Sequence, residues 1–189
     1  LSSSSAASDV YKRQLIDQPV NLGLTGGFQT GMKYAWRHGY DNVIQFDADG
    51  QHRPEHLADL VEFQRSTGSD IVIGSRFVTK SKPHSLRMAG SNLISFIIRL
   101  TCGVTIKDPT SGMRLYNRRM IEQFATRTDL APEPDTLAFL IKKKNATVGE
   151  CQVEMRERMA GESYLTLSKS VSYMANACVS ILFAMWLKN

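Results

Sequence analysis

Two carboxylates stand one residue apart where a short apolar run of the sequence ends. Residues 43–46 are mostly apolar, which predicts a buried strand, and Asp47, Asp49, Gly50 and Gln51 follow it. Both carboxylates can point to one side, because side chains two residues apart share a face of an extended backbone. Carboxylate and amide oxygens suit Mg²⁺ or Mn²⁺, which proteins often share with substrate phosphates. The stretch predicts a divalent-cation site at a strand end, where ligands bind in open α/β sheets.

The same pair of carboxylates also fits a turn or a helix cap, since short motifs of this kind often occur by chance. The glycines upstream share this ambiguity. Gly26 and Gly27 precede a predicted helix over residues 28–38, and glycines at a helix N-terminus can expose backbone N–H groups to an anion. They equally suit a simple turn, so the wider pattern of the chain has to decide.

Helix and strand patterns alternate along the chain. After the apolar run at residues 43–46, a helix is expected to begin at Pro54, and residues 70–76 predict a second buried strand. Short links between alternating helices and strands imply a parallel sheet with helical crossovers. Farther on, two more helices are expected, and residues 150–155 alternate between polar and apolar, which is typical of a half-buried strand. The sequence predicts an α/β fold.

Size, charge and cysteine content restrict the kind of protein. With 189 residues, 42% of them hydrophobic, the chain can form one domain, or one domain with a tail. The formal net charge of +5 favours anionic partners such as phosphates, nucleotides or an anionic membrane face. The sequence shows no signature of nucleic-acid binding. Three widely spaced cysteines favour a reducing compartment over a disulfide framework or a zinc site.

The two ends of the chain differ from its middle. Residues 1–14 are rich in serine and alanine and lack the apolar stretch of a signal peptide, so we interpret them as disordered, foreign sequence. Residues 166–187 predict one helix with a polar and an apolar stripe. An interfacial helix at a membrane is our preferred interpretation, and packing on the domain is the alternative. The apolar stretch at residues 93–100 is too short to span a bilayer and could be core or membrane-facing.

Five motifs, in order and at similar spacing, resemble glycosyltransferase family 2, the inverting enzymes with a GT-A fold. Within that family they are most similar to polyprenyl-phosphate sugar transferases of the dolichyl-phosphate mannose synthase type. Each motif alone is weak, whereas five in register over residues 20–165 are specific. They are Asn21-x-Gly23, residues 47–52 followed by Pro54-Glu55, Gly74-Ser75-Arg76, Asp108-x-x-Ser111-Gly112-x-Arg114 and Arg158-x-x-Gly161-x-Ser163.

The resemblance implies a mostly parallel GT-A sheet flanked by helices over residues 15–164, followed by an amphipathic helix over residues 165–189. The family begins with a strand ending in Pro-x-Tyr-Asn-Glu and a second strand whose acidic residue helps to hold the nucleotide base. Neither motif is present in this sequence, and residues 1–14 occupy their place. We therefore expect the first two strands and much of the base pocket to be missing, which would leave an incomplete enzyme.

The resemblance also implies the donor side of a site. A nucleotide-sugar would bring its diphosphate to Mg²⁺ or Mn²⁺, which offsets charge on the leaving group, and Asp49 would act catalytically through that ion. The implied residues are Asp49 and Gln51 as metal ligands, Asp47 beside the ion or toward the ribose, Asn21 and Gly23 against the nucleotide, and Arg158 and Ser163 on a loop that closes over the diphosphate.

On the acceptor side, the resemblance implies that Arg76 and Arg87 bind the phosphate of a polyprenyl phosphate, for which a planar guanidinium is well suited. Such a phosphate is anionic near neutral pH, since its second pKa is about 6, and it needs only alignment. A hydroxyl acceptor would need a base, and Asp108 is the candidate that the resemblance indicates. Asp108 could instead cap the turn that follows it.

Together these expectations describe an inverting, metal-dependent glycosyltransferase that moves a sugar from a nucleotide-diphosphate donor to a polyprenyl phosphate at the cytoplasmic face of a membrane. One alternative keeps the fold and transfers the sugar to a hydroxyl of a cell-wall or surface polysaccharide. Another is a non-catalytic, membrane-associated binding domain. A nucleotidyltransferase would also use paired carboxylates, but this sequence shows no glycine-rich activating loop.

Overall fold

The structure is a computed structural model that describes residues 14–47, 49–156 and 167–187. The segment 1–14, predicted to be disordered, lies outside the described residues except for Gln14. In chain order the described helices and strands are α1 (Gly23–Arg37), β1 (Asn42–Gln45), α2 (His56–Thr67), β2 (Ile71–Ser75), α3 (Leu86–Cys102), β3 (Arg114–Asn117), α4 (Arg118–Thr126), α5 (Pro134–Lys144), β4 (Val148–Gln152) and α6 (Leu167–Leu187).

A four-stranded sheet in the order β1-β3-β2-β4 organises the described residues. β2 and β4 pair in parallel, whereas β3 lies between β1 and β2 and runs antiparallel to both. β1, β2 and β4 therefore point the same way, and their carboxyl ends meet at one edge. The predicted α/β class is confirmed. The sheet is mixed because β3 enters between two strands that the alternating pattern predicted to be parallel neighbours.

The sheet separates two apolar layers, because alternate side chains of a strand face opposite sides. Ile71, Ile73 and Tyr116 lie in the larger cluster, with side chains from α1, α3, α4, α5 and α6. Val72 and Leu115 face the smaller cluster, which includes side chains of α2. Every residue of β2 is buried, as its uninterrupted apolar run predicted. The strand that precedes Arg76 is thus held from both faces.

β1 is less buried than its apolar run predicted. Its residues are all only partly buried, and Phe46, directly after it, is 39% exposed. Within the described residues β1 pairs with β3 alone, and the side-chain oxygens of Asn42 and Gln45 are buried without a hydrogen-bond partner. A strand lies close to the predicted residues 43–46, but its predicted burial is wrong, because the burial of an apolar run depends on the neighbours that cover it.

α1 begins earlier than the sequence predicted. It starts at Gly23, which has a φ of +66° and donates its N–H to the side chain of Asn21 over 2.8 Å. Gly26 and Gly27 consequently lie inside the helix. The prediction that the helix starts at Phe28 is wrong, and the two glycines form neither the end of the helix nor a turn before it, because both lie within α1.

α6 spans Leu167–Leu187, close to the predicted range, and packs against α3 and α5. Its approach to α3 is close, since a Cβ on Gly90 would come within 1.5 Å of the Met174 sulfur. Ala177 and Ile181 are buried in the same core. One face of α6 therefore packs on the domain, which was the alternative to an interfacial helix.

Large apolar side chains on α3 and α6 are nevertheless exposed. In α3, Ile94 and Ile98 are buried while neighbouring apolar residues face solvent, so residues 93–100 belong to both core and surface. No helix of the described residues is long and apolar enough to cross a membrane. We call the exposed set the two-helix apolar surface: Leu93, Phe96 and Leu100 of α3 with Val179, Leu182 and Phe183 of α6, which are 48% to 72% exposed.

Candidate active site

The ends of β1, β2 and β4 are joined into one site by backbone hydrogen bonds. After β4, the Val153 N–H donates to the Ser75 carbonyl over 2.9 Å, and the Arg156 N–H donates to the Gln51 carbonyl over 3.0 Å. The segment after β4 is thereby tied to both other strand ends. Loops at the carboxyl ends of strands that point the same way are the usual place for a ligand site in such sheets.

The predicted carboxylate pair lies on a turn after β1, which we call the carboxylate turn and which is described at residues 47 and 49–52. Gly50 has a φ of +81°, a conformation that side-chain-bearing residues rarely adopt. The Asp49 carboxylate accepts the Gln51 N–H over 3.0 Å. His52 closes the turn, since its Nδ1 accepts the N–H of Asp47 over 2.9 Å.

The roles of His52 and Gly112 in this turn were not predicted from the sequence. His52 is only 7% exposed, and burial lowers its pKa below the ordinary value despite the nearby Asp47 and Asp49 carboxylates. The ring is therefore neutral near pH 7, the state in which Nδ1 accepts a hydrogen bond. A Cβ on Gly112 would lie 2.8 Å from Oδ2 of Asp47, so Asp47 lies directly against that loop.

The donor atoms on the carboxylate turn fit a hard divalent cation. Asp47 and Asp49 offer carboxylates and Gln51 an amide oxygen, and the Asp47 side chain is 43% exposed. Among the described residues, no group of three His, Cys, Asp or Glu side chains could hold a metal ion by itself. Mg²⁺ is usually bound by one or two carboxylates together with substrate phosphates and water, and the turn matches that requirement.

Arg76 and Asp108 form a close ion pair where β2 ends. Nε and Nη2 of Arg76 donate to the Asp108 carboxylate over 2.8 and 2.9 Å, and the Arg76 backbone N–H donates to it over 3.1 Å. The Asp108 side chain is 0% exposed, whereas that of Arg76 is 29% exposed. The bonds to Asp108 raise the pKa of the Arg76 guanidinium. The predicted phosphate-binding arginine and the predicted base therefore contact each other.

Two polar side chains of β4 support this pair, and neither role was predicted from the sequence. The Glu150 carboxylate accepts the backbone N–H groups of residues 107–108 over 2.7 and 2.8 Å. Gln152 accepts the Thr79 N–H through Oε1 and donates to the Arg76 carbonyl through Nε2. The alternating pattern of β4 predicts only a wet face, because partners so far away along the chain leave no local signal.

A cavity of about 410 Å³ is lined by residues that follow all three strand ends. Arg53, Arg76 and Lys80 bring positive charge to its lining, and Glu154 pairs with Arg53 and Lys80 over 3.2 and 2.9 Å. The Arg76 guanidinium stacks on Phe77, with its carbon 5.0 Å from the ring centroid. The excess of cations suits an anionic group such as a phosphate.

A second cavity of about 480 Å³ shares loop residues with the first. Lys82 and Lys107 line it together with Asn92 and Ser95 of α3. Burial lowers the pKa of the Lys82 ammonium. Asn92 and Ser95 belong to α3, the helix that also carries Leu93, Phe96 and Leu100 of the two-helix apolar surface.

The remaining predicted site residues lie away from the strand ends, or their side chains are outside the part of the chain that the structure describes. Asn21 and Gly23 are exposed at the start of α1, where they bond to each other. Arg87 belongs to the first turn of α3, and its side chain is not among those described. Arg158 and Ser163 lie outside the described residues. The described part of the site consists of the carboxylate turn, the buried ion pair and the two cavities.

The fold and the site define a class of protein: a GT-A-like α/β sheet with paired carboxylates on a turn beside a cationic cavity. The profile described as glycosyl transferase family 2 matches residues 4–124, which is more than half of the chain. The chain belongs to glycosyltransferase family 2, as its motifs indicated.

Curated relatives confirm the resemblance to the polyprenyl-phosphate branch. The polyprenol monophosphomannose synthase of Mycolicibacterium smegmatis is 31% identical over 62% of this chain and 45% of its own length. The undecaprenyl-phosphate mannosyltransferase of Micrococcus luteus is 32% identical over 76% and 61%. The UDP-N-acetylglucosamine–dolichyl-phosphate N-acetylglucosaminyltransferase of Methanococcus voltae is 29% identical over 74% and 57%. The chain spans about half the length of the curated relatives it matches.

Proposed function

We propose that this protein transfers a sugar from a nucleotide-diphosphate donor to a polyprenyl phosphate. The observation that carries the proposal is the cavity lined by Arg53, Arg76 and Lys80. Of these residues, Arg53 directly follows the carboxylate turn in the sequence. A reaction with phosphate groups on both donor and acceptor needs cationic partners in one place. The names of the curated relatives, with their polyprenol, undecaprenyl and dolichyl phosphates, support this acceptor class.

A divalent cation suits the donor side of the proposed site. Asp49 and Gln51 would hold Mg²⁺ or Mn²⁺, with Asp47 beside it, and the bound ion would offset charge on the leaving diphosphate. His52 keeps the turn in shape through its bond to the Asp47 N–H. The proposal also retains Asn21 and Gly23 against the nucleotide and Arg158 and Ser163 on a closing loop.

On the acceptor side, alignment replaces base catalysis. A phosphate monoester is anionic near neutral pH, so it can attack the anomeric carbon once it is held in line with the leaving group. A single displacement of this kind inverts the configuration at that carbon. Arg76, stacked on Phe77 and paired with Asp108, is the proposed ligand of the acceptor phosphate, together with Arg87.

The two-helix apolar surface suits the lipid part of the acceptor and the membrane itself. Contiguous apolar surface marks interaction sites, and amphipathic helices bind at the boundary between headgroups and acyl chains. The second cavity, with Lys82 and Lys107 in its lining, is also lined by residues of α3, the helix that carries part of this surface. We infer a position on the cytoplasmic face of the membrane, with the isoprenoid chain along α3.

Transfer of radiolabelled sugar from UDP- or GDP-sugars to farnesyl phosphate tests the proposal. We expect a product that partitions into organic solvent, requires Mg²⁺ or Mn²⁺ and disappears with EDTA. Label found only in polysaccharide would favour the hydroxyl acceptor. Failure of UDP and GDP to bind in the presence of Mn²⁺ would favour a non-catalytic binding domain.

Asp49→Ala is expected to lower this transfer about 100-fold or more, the scale on which loss of charge stabilisation acts. The reason is that a proposed ligand of the divalent ion is removed. Glu62→Gln, an exposed position on α2, is the control and should transfer normally. Full activity of Asp49→Ala, or activity that survives EDTA, would remove the metal from the proposal.

A further inference from the structure

We propose that Asp108 is a positioning residue for Arg76 and not the proton acceptor of the transfer reaction. The proposal rests on the proposed function, because it takes Arg76 as a ligand of the acceptor phosphate. It changes the role that the family resemblance implies for Asp108. It also assigns a supporting role to Glu150, which the sequence motifs do not include.

The Asp108 carboxylate is already occupied by donors. A carboxylate offers about four lone-pair positions, and Arg76 donates to it through its backbone N–H, Nε and Nη2. With 0% of the side chain exposed, a substrate hydroxyl has no surface of this group to reach. A general base must come within about 3.2 Å of the group whose proton it removes. Asp108 could do so only if Arg76 left.

The same pair restricts the direction in which Arg76 can act. A guanidinium is a planar fork, and its Nε–Nη2 edge is bound to Asp108. Its plane lies over the Phe77 ring, and no described residue accepts a hydrogen bond from Nη1. Since Arg76 also lines the cavity of about 410 Å³, its remaining donors meet a phosphate in one orientation. Preorganisation of this kind reduces the entropy lost on binding.

Glu150 and Gln152 hold the backbone of the Arg76–Asp108 pair in place. The Glu150 carboxylate accepts the N–H groups of residues 107–108 and so fixes the backbone from which the Asp108 side chain extends. Gln152 donates to the Arg76 carbonyl and so fixes the other half of the pair. Both belong to β4, which pairs with β2 up to the last residue of each strand. Two rigid strand ends therefore set the geometry of the pair.

Side-chain NMR of Arg76 in the 189-residue chain tests the positioning role independently of activity. The Nε–H of Arg76 should exchange slowly with water in the unchanged protein, because its bond to Asp108 is buried. In Asp108→Asn the exchange should be about ten times faster, since Asn has no charge and one acceptor oxygen in place of two, and the weaker pair permits local opening. Glu150→Gln should change it in the same direction, and the exposed Glu62→Gln should leave it unchanged.

Glu150→Gln keeps this test decisive if Asp108→Asn fails to fold, because Glu150 is only partly buried. Faster exchange in Glu150→Gln supports the proposal. Exchange at the unchanged rate in every folded variant overturns it, since Asp108 would then not hold Arg76.

Transfer kinetics with farnesyl phosphate separate the two roles of Asp108. Loss of positioning should raise the KM for farnesyl phosphate about tenfold in Asp108→Asn, with kcat within about threefold and an unchanged pH profile. The double variant Asp108→Asn with Arg76→Ala should have a KM for farnesyl phosphate no higher than that of Arg76→Ala alone, because the effects of coupled residues are not additive. A proton acceptor would lose kcat about 100-fold or more and change the pH profile, which would overturn the proposal.

Failure of the proposed acceptor and failure of the positioning role give different results in the kinetic and NMR experiments. If the unchanged protein does not bind farnesyl phosphate, the proposed acceptor is wrong, and the NMR exchange rates still decide whether Asp108 positions Arg76. If farnesyl phosphate binds and the exchange rates do not change, the acceptor stands and the positioning role is wrong.

Discussion

At the scale of single residues, the carboxylate turn depends on positions that take no part in the proposed chemistry. Gly112 leaves room for Asp47, His52 accepts the Asp47 N–H, and Gly50 allows the chain to turn. The potential ligands are visible in the sequence because they are neighbours. Gly112 has no such local signal, since it reaches Asp47 from a different loop.

Gly112→Ala is expected to weaken Mn²⁺-dependent binding of UDP or GDP about tenfold, the lower end of what loss of a ligand-orienting residue costs. The added Cβ would lie 2.8 Å from Oδ2 of Asp47, so the carboxylate must move. Isothermal titration calorimetry measures the affinity. Gly31→Ala is the matched control, because nothing lies within 4 Å of its added Cβ. Equal affinities of the two variants would show that the position of Asp47 is not critical.

At the scale of elements, one buried carboxylate joins three strands and a helix at the end of the sheet away from the site. Asp70, just before β2, accepts hydrogen bonds from Asn117 at the end of β3, Arg119 in α4 and Thr147 before β4. Burial alone would raise the pKa of Asp70, but the bonds from Arg119, Thr147 and Asn117 lower it well below its ordinary value. The strand ends that carry the site are thus anchored from the opposite side.

Asp70→Asn is expected to lower the free energy of unfolding at pH 7 by about 3 kcal/mol, because the donors around Asp70 lose its charge and one of its two acceptor oxygens. The folded-state pKa is lowered, so the contribution of Asp70 is complete above its ordinary pKa of about 4. It is lost as the pH falls from there toward the lowered value. Urea unfolding from pH 7 down to pH 3 measures the difference between Asp70→Asn and the unchanged protein, which should shrink with acid.

The exposed Glu122→Gln on α4 is the control for this series and should stay within about 0.5 kcal/mol of the unchanged protein. A difference between Asp70→Asn and the unchanged protein that is the same at every pH would contradict the proposed contribution of the carboxylate charge.

At the scale of the whole molecule, the proposed reaction requires a soluble sugar nucleotide and a lipid to meet. The cationic cavities and the two-helix apolar surface provide for both, since α3 contributes to the second cavity and to the surface. α6 adds the other half of the surface and packs closely on α3 at Gly90. The two helices are therefore packed together, and each also exposes apolar residues.

Replacing Phe96 and Phe183 together by Asp is expected to reduce binding to anionic lipid vesicles at least about tenfold. Burial of one such side chain contributes about 1.5–3 kcal/mol, and these two are 60% and 59% exposed. Vesicle flotation measures the bound fraction, and the exposed polar change Glu62→Gln should leave it unaltered. Equal binding of the double variant and the unchanged protein would place the membrane contact elsewhere.

Much of the secondary structure could be predicted from local pattern. The range of α6 follows from its periodicity and the complete burial of β2 from its apolar run, whereas β4, predicted at residues 150–155, spans Val148–Gln152. The predicted start of α1 was wrong because Gly26 and Gly27, which suggest a helix end or a turn, lie within the helix. The predicted burial of β1 was wrong because β1 pairs with β3 alone among the described strands, and which residues cover a strand cannot be seen from its own sequence.

The sequence by itself determined which atoms can bind a cation or a phosphate, because side-chain chemistry and short spacings belong to the chain. Asp47 and Asp49 were identified in this way, and Arg76 through the resemblance of its motif to the family. Only the tertiary structure decided which of these groups contact one another. Asp108 lies 32 residues after Arg76 and 42 before Glu150, and the order of strands in the sheet brings them together. That contact, which no local pattern encodes, leaves Asp108 as the partner of an arginine.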